Sequence, residues 1–298
     1  MLRLSVRPGD RLEDATEFNV HVAGSEANVA YAAARVGVNA AWVSALPDNP
    51  LGHRVATTLG AGGVDTSLVR WVEGGRLGLY FVELASAPRP ISVIYDRAAS
   101  AMAKASWHDF DWPAIADTQF LHVSGITLGL SVSCRDIVHH ALQTARRAGA
   151  TITFDVNYRQ KLWDRKAAAE AVHEIAHFVD VLVCTQEDAH DLFGVAGPLG
   201  LGVKTEVLTR GAEGATAWQD GQKVERAAHR VESIDRVGAG DAFTAGLIWG
   251  LLDDSLELGL ERGLAMSALK MSLRGDLFRL DAVDVNALLA REGREVGR

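Results

Sequence analysis

Residues 235–252 read DRVGAGDAFTAGLIWGLL. Val231 and Ile234 precede them, and Ala242, Phe243, Leu247, Ile248, Leu251 and Leu252 recur through them at helical spacing. The pattern predicts a strand or extended segment, then a glycine turn, then a helix. Gly238 and Gly240 let the backbone turn tightly and leave its N–H groups uncovered. The first turn of a helix has N–H groups without internal partners, and its dipole favours an anion there. A glycine turn feeding a helix is therefore an anion cradle, most often for phosphate. Asp241 stands at its mouth. A carboxylate there would repel a phosphate unless its task is to take a proton from the group that attacks the phosphate. The plainer reading is a turn with an Asp N-cap, worth about 1 kcal/mol of helix stability. The local pattern leaves both readings open.

Working outward, helices are expected over 256–273 and 283–291. Upstream, strands over 120–123, 151–156, 179–184 and 206–208 alternate with helices over 133–148, 166–178 and 187–193. Runs 215–218 and 223–226 pair as a hairpin across Asp220-Gly221, a strong turn signal. Strands alternating with helices imply a mostly parallel sheet covered on both faces. Toward the N-terminus, strands are expected over 1–6, 18–22 and 40–46, and helices over 26–36 and 51–59. Gly37 closes the first of these helices and the glycines at 60, 62 and 63 the second. Between 68 and 98 the texture changes. Short β-type runs at 69–72, 78–84 and 91–95 are split by Gly74-Gly75 and by Ala87-Pro88-Arg89-Pro90. They predict a small antiparallel sheet, with 18–22 a four-stranded flap. No linker or repeat is visible, so 1–298 reads as a single α/β domain with lid strands within 15–24 and 68–98.

The formal charge of −8 argues against a nucleic-acid footprint or an anionic membrane surface. A phosphorylated ligand would then need a local positive site of backbone dipoles, a few Arg or Lys and a metal. Cys134 and Cys184 lie far apart in apolar segments and read as buried, reduced thiols. No apolar run reaches membrane length and no signal-peptide pattern opens the chain, which predicts a cytoplasmic protein. The ten histidines show no HExxH-type spacing.

In such sheets ligands bind beyond the carboxyl ends of the strands. Asp155, Asn157 and Arg159 fall there, as do Thr185 and Asp188, then Thr209, Arg210 and Gly211, then Asp241. Alone, each is an ordinary loop residue. Together they offer anion donors, a candidate magnesium carboxylate and a base. Magnesium takes one or two carboxylates and keeps its waters, so a sparse acidic set suits it.

Two stretches carry a resemblance: Gly24-Ser25-Glu26-Ala27-Asn28-Val29-Ala30 and Asp235-Arg236-Val237-Gly238-Ala239-Gly240-Asp241. The chain resembles the ribokinase/PfkB family of carbohydrate kinases over nearly all its length. The resemblance implies a three-layer αβα sandwich with a β-sheet lid, the cofactors ATP and Mg²⁺, and transfer of the γ-phosphoryl group to a sugar hydroxyl. Asp241 would be the base, and the N–H groups of Ala239, Gly240 and Asp241, introduced by Gly238, would stabilise developing phosphoryl charge. The resemblance also implies ATP contacts at Asn157, Thr185, Thr209, Arg210, Gly211, Gly214, Gly238 and Gly240, and sugar contacts at Gly24, Asn28 and Ile126. Asp188 would order magnesium-bound water.

Within the family the chain looks most like 2-keto-3-deoxygluconate kinases. Gly78-Leu79-Tyr80-Phe81, Tyr95-Asp96-Arg97, His122-Val123-Ser124-Gly125-Ile126 and Phe154-Asp155-Val156-Asn157-Tyr158-Arg159 carry that likeness. Tyr80, Tyr95, Arg97 and Arg159 would then contact an acid sugar. Independently, a substrate carboxylate wants a guanidinium, whose planar fork offers two aligned donors. The plainer reading makes Arg97 a surface residue of the lid and pairs Arg159 with Asp155 or an ATP phosphate.

Three departures from the family pattern stand out. The chain opens at what looks like the strand after the family's first one, which implies a misassigned or truncated start and a lost central strand. The magnesium-side Asn-x-x-Glu appears as Thr185-Gln186-Glu187-Asp188. Arg274-Gly275-Asp276 replaces the usual adenine-side pattern. The leading expectation is an ATP-dependent 2-keto-3-deoxygluconate kinase acting on the terminal hydroxyl. The alternatives are a kinase of fructose, ribose or a related deoxy-keto acid, and a non-catalytic sugar- or nucleotide-binding protein. The apolar lid residues Leu79, Phe81, Ile91 and Val93 predict a homodimer paired lid to lid.

Overall fold

The computed structural model describes residues 1–84 and 89–295, so the Ala87-Pro88 break lies outside the described residues. Strands β1 (Leu2–Ser5) and β2 (Asn19–Val22) lead into helix α1 (Ser25–Arg35). Then come β3 (Ser44–Pro47), α2 (Pro50–Ala61), β4 (Val69–Val72), β5 (Leu79–Glu83), β6 (Ser92–Asp96), α3 (Ala101–Lys104) and α4 (Trp112–Ala116). The α/β alternation follows: β7 (Phe120–Ser124), α5 (Gly125–Leu130), α6 (Val132–Ala148), β8 (Thr151–Asp155), α7 (Arg165–Ile175), β9 (Val181–Thr185), α8 (Gln186–Phe193) and β10 (Thr205–Thr209). The hairpin β11 (Ala215–Gln219) and β12 (Gln222–Arg226) precedes α9 (Ala239–Leu251), α10 (Leu256–Met271) and α11 (Ala282–Glu295).

The main sheet runs β12-β11-β10-β9-β8-β7, with β7 to β10 parallel and the hairpin antiparallel at one edge. Alternation along its strands feeds two cores. Ile152, Phe154, Leu182, Cys184 and Leu208 pack against Val138, Leu142, Val172 and Ile175 of α6 and α7. Val181, Val183 and Val207 pack on the opposite face against Phe243, Leu247, Leu260 and Leu264 of α9 and α10. These are the three layers of a ribokinase-like αβα fold.

The lid differs from expectation. Its order is β2-β1-β5-β6, so β1 stands inside it, antiparallel to β2 and parallel to β5. The run at 69–72 is not a lid strand; β4 pairs in parallel with β3 in a separate two-stranded sheet. Its inward side chain Val69 belongs to a core with Trp42, Leu46, Val55 and Leu59, and that burial holds it away from the lid. Nor do Val231 and Ile234 form a strand. Ile234 is exposed, and the N–H groups of Ile234 and Asp235 donate to the Met271 carbonyl at the end of α10 rather than to a sheet neighbour. Among the described residues β7 and β3 are each paired on one side only. A large cavity separates them, lined there by Val43, Ala45, Leu121 and Val123.

Helices α9 and α10 touch backbone to backbone through Gly246, Gly250, Gly259 and Gly263. A Cβ at Gly250 would lie 2.2 Å from the Gly259 nitrogen. Gly250→Ala should therefore cost about 1–3 kcal/mol, measured as a fall in Tm of roughly 2–10 °C. Gly60→Ala, with nothing within 4 Å of the added carbon, is the control expected to hold or raise Tm. Equal melting of the two variants would refute the close-packing account.

Candidate active site

Gly238 caps α9 in the left-handed region (φ 86°). A Cβ there would meet the Asp276 carbonyl oxygen at 2.2 Å, so the turn needs glycine both for its conformation and for its seat. The N–H groups of Gly240 and Asp241 have no acceptor among the described residues. The Ala239 N–H donates to the Arg236 carbonyl at 3.2 Å, which reduces the expected three-donor cradle to two donors in this conformation.

Asp241 does not cap the helix. Its Oδ1 accepts from Ser25 Oγ at 2.7 Å and its Oδ2 from Asn28 Nδ2 at 2.7 Å. Both donors come from α1, whose first turn begins after Gly24 (φ 131°); residues 25 and 28 share one face because three residues nearly complete a turn. Burial pushes the Asp241 carboxyl up to about 6, opposed by the hydrogen bonds from Asn28 and Ser25 and by the charge of Arg159.

A second carboxylate lies behind it. Asn157, itself left-handed (φ 40°), donates from Nδ2 to Ser25 Oγ at 3.1 Å and to Asp155 Oδ2 at 3.2 Å. Burial, then repulsion from Asp241, raises Asp155 to about 8, with Asp188 adding to it and Arg159 opposing. Burial also raises Asp188, whose Oδ2 accepts from the Tyr158 N–H at 3.3 Å. The acids titrate as a coupled set. A divalent cation would relieve that crowding. Among the described residues no three His, Cys, Asp or Glu side chains converge to enclose a metal. The donor set suits Mg²⁺ that keeps waters and phosphate oxygens.

One cavity of about 1050 Å³ gathers Gly24, Asn28, Tyr80, Tyr95, Arg97, Ile126, Asn157, Arg159, Gly238 and Asp241 around its wall. Arg97 is no surface residue: it is buried, its guanidinium lies 4.1 Å from the centre of the Tyr95 ring, and its Nε and Nη2 have no hydrogen-bond partner among the described residues. Arg159 forms no ion pair among the described residues and donates to the Tyr158 carbonyl at 2.8 Å. Thr185, Thr209, Arg210, Gly211 and Gly214 lie outside this cavity, along the carboxyl edge of β9 and β10, where Thr209 and Thr185 stand side by side. Arg210 is held by Glu225 at 3.1 Å.

Several side chains escaped the sequence reading. Ser25 lay inside a recognised stretch without a role. Glu26 accepts from the Ser124 N–H (3.1 Å), Ser124 Oγ (2.7 Å) and Thr127 Oγ1 (2.6 Å), tying α1 to the β7–α5 junction. Arg3 bridges Asp235 at 2.8 Å and Asp276 at 3.1 Å, and Tyr80 donates its hydroxyl proton to Asp276. No local pattern could have found this network, because its members are more than seventy residues apart except for Asp235 and Asp276.

An anion cradle beside a buried carboxylate, opening on a large cavity that also holds two arginines, is the site of a phosphoryl-transfer enzyme. The chain belongs to the pfkB family of carbohydrate kinases, whose pattern matches residues 3–281. It is 39% identical to a 2-dehydro-3-deoxygalactonokinase of Haloferax volcanii, over 97% of this chain and 94% of that one. It is 36% identical to a 2-dehydro-3-deoxygluconokinase of Thermoproteus tenax, over 91% and 86%. Its fold matches the crystal structure of a 2-dehydro-3-deoxygluconokinase from Thermotoga maritima with a TM-score of 0.89 at 33% identity, covering 97% and 95% of the two chains. It also matches a sugar kinase of Pyrococcus horikoshii solved with ATP, with a TM-score of 0.87 at 25% identity, covering 98% and 97%.

If Asp241 is the base, Asp241→Asn should lower kcat by about 10²–10⁴-fold while ATP binding by calorimetry stays near wild type. The wild-type rate should fall with unit slope below a pH of about 6, where the carboxylate takes up its proton. A rate flat between pH 5 and 8 would contradict the assignment.

Proposed function

We propose that this sugar-acid kinase transfers the γ-phosphoryl group of ATP to the terminal hydroxyl of 2-keto-3-deoxygluconate or its galactonate epimer. The observation that carries this reading is Arg97, a buried guanidinium with two unpartnered nitrogens on the wall of the cavity that holds Asp241. A buried cation without a partner is costly, and a planar carboxylate is the ligand that fits its fork. Tyr95 and Tyr80, with ring centres 5.8 Å apart, supply the adjoining wall. The names of the relatives point the same way.

Asp241 takes the proton of the attacking hydroxyl. Each of its oxygens already accepts one hydrogen bond and has a lone pair left for the substrate. Gly24, Asn28 and Ile126 border the sugar, and the uncovered N–H groups of Gly240 and Asp241 face the transferred phosphoryl group. Thr185, Thr209, Arg210, Gly211 and Gly214 line the path of the nucleotide along the sheet edge, with Asn157 and Gly238 nearer its phosphates. Asp188 and Asp155 would hold Mg²⁺ through its water shell, and the bound metal would supply charge neutralisation for ATP. The protein works in the cytoplasm, in keeping with two free, buried thiols and with no helix among the described residues long and apolar enough to cross a membrane. A second copy covers the lid: Ile94 is 55% exposed and Phe18 packs edge-on against Phe81.

The test is ADP release with Mg·ATP and a panel of the two keto acids, fructose and ribose, on wild type and Arg97→Ala. A charge-assisted contact is worth about 1.5–3 kcal/mol, so kcat/KM for the keto acids should fall about 10- to 100-fold in the variant. Preference for a neutral sugar, or keto-acid kinetics indifferent to Arg97, would overturn the substrate assignment.

A further inference from the structure

Lys270 lies in the last turn of α10 and is completely buried. Among the described residues it has no carboxylate partner. Its Nζ donates instead to two backbone carbonyls, those of Asp235 at 3.2 Å and Leu273 at 3.4 Å. Burial pushes its pKa down, while Asp235 and Asp276 pull it back up and Arg3 opposes them. A methionine or leucine would fill the same space without desolvating an ammonium, so the charge calls for an explanation.

The carbonyls it joins lie at the root of the anion cradle. The N–H groups of Ile234 and Asp235 donate to the Met271 carbonyl at 2.8 and 3.1 Å, one residue past Lys270. The Asp235 carboxylate accepts from the Val237 N–H at 3.2 Å and the Gly275 N–H at 3.0 Å, and pairs with Arg3. Gly238 rests on the Asp276 backbone. The backbone then enters α9, where the Gly240 and Asp241 N–H groups stand free. Two carbonyl oxygens brought toward one positive centre repel each other when that centre is removed. An ammonium and a small monovalent cation satisfy the same oxygens.

We propose that Lys270 is a positioning residue for phosphoryl transfer: its ammonium serves as a tethered monovalent cation that draws the Asp235 and Leu273 carbonyls together and so fixes the turn bearing the Gly240 and Asp241 N–H groups. The proposal rests on the kinase reading of that turn. It requires that wild-type turnover be the same in potassium, sodium and choline chloride at equal ionic strength.

Lys270→Ala should lower kcat about 10- to 100-fold, the scale of a small misplacement of catalytic groups, with KM for the sugar acid within about twofold of wild type. Potassium, ammonium or methylammonium, but not choline, should restore much of the lost kcat. The same cations should raise the Tm of Lys270→Ala and leave that of wild type unmoved. Lys270→Met fills the space without charge; it should fold, stay slow and ignore every salt. A wild type that needs potassium overturns the proposal. So does a fully active Lys270→Met, or a Lys270→Ala whose kcat and Tm respond to no cation. The Tm response needs no turnover, so a wild type silent on sugar acids counts against the substrate reading alone, and the cation response of the Lys270→Ala Tm then supports or overturns the role of Lys270.

Discussion

Proton transfer to Asp241, as proposed, asks for a carboxylate that is buried and yet ionisable, and much of the structure bears on that carboxylate. Burial alone would keep it protonated. Two donors from α1 and the nearby charge of Arg159 oppose burial and leave it near 6, low enough to be ionised at neutral pH and high enough to accept a proton. This demands that the first turns of α1 and α9 meet. The meeting is enforced behind the site: α1 and α9 share a core containing Val29, Ala33, Ala242 and Ala245, all small or β-branched side chains that let the helices approach. On its other side α9 is locked to α10 by glycines whose added carbons would strike backbone. A helix held from both sides cannot withdraw its N-terminus.

The lid is wired to the same point. Arg3 from β1 and Tyr80 from β5 converge on Asp276, while Arg3 also pairs with Asp235 at the start of the glycine turn. Burying so many charges is not a cheap source of stability, since desolvation offsets most of the attraction. Its value lies in geometry: lid, turn and the 275–276 loop share one set of ionic partners. Gly275 carries this economy further, with its N–H on Asp235 and a side-chain-free Cα against the His21 ring of β2.

The parts legible in the sequence were those written locally. Asp220-Gly221 stated its hairpin outright, with φ 50° and 76° in the folded chain. The α/β alternation from 120 onward gave the parallel sheet, because two buried faces require continuous apolar strands. The cradle was legible because glycine spacing and a helix start coincide within a few residues. What could not be read was partner choice. A four-residue run such as 69–72 carries no sign of which sheet it joins, and packing against Trp42 and Leu59 decided it. For Val231 and Ile234 the apolar pattern left strand or extended segment open, and an exposed isoleucine has no obligation to join a sheet. The Arg3–Asp235–Asp276 triad spans nearly the whole chain, and one sequence holds no trace of contacts at that separation.

The two arginines illustrate how surroundings divide a pair of like residues. Arg159 sits among acids: its charge lowers Asp241, Asp155 and Asp188 together, so its positive field is already spent on the protein. Arg97 has the face of Tyr95 and only the distant influence of Glu26, while Arg159 repels it. Both line one cavity, and their repulsion falls on the residue without an acid at hand. A neutral sugar would bury Arg97 further and return nothing for its lost water. A carboxylate would settle the Arg97 charge, damp the repulsion from Arg159 and satisfy the two idle nitrogens at once. The proposed preference for acids thus follows from an imbalance internal to the protein: one guanidinium shares its field with three nearby carboxyls, and the other is left for the ligand.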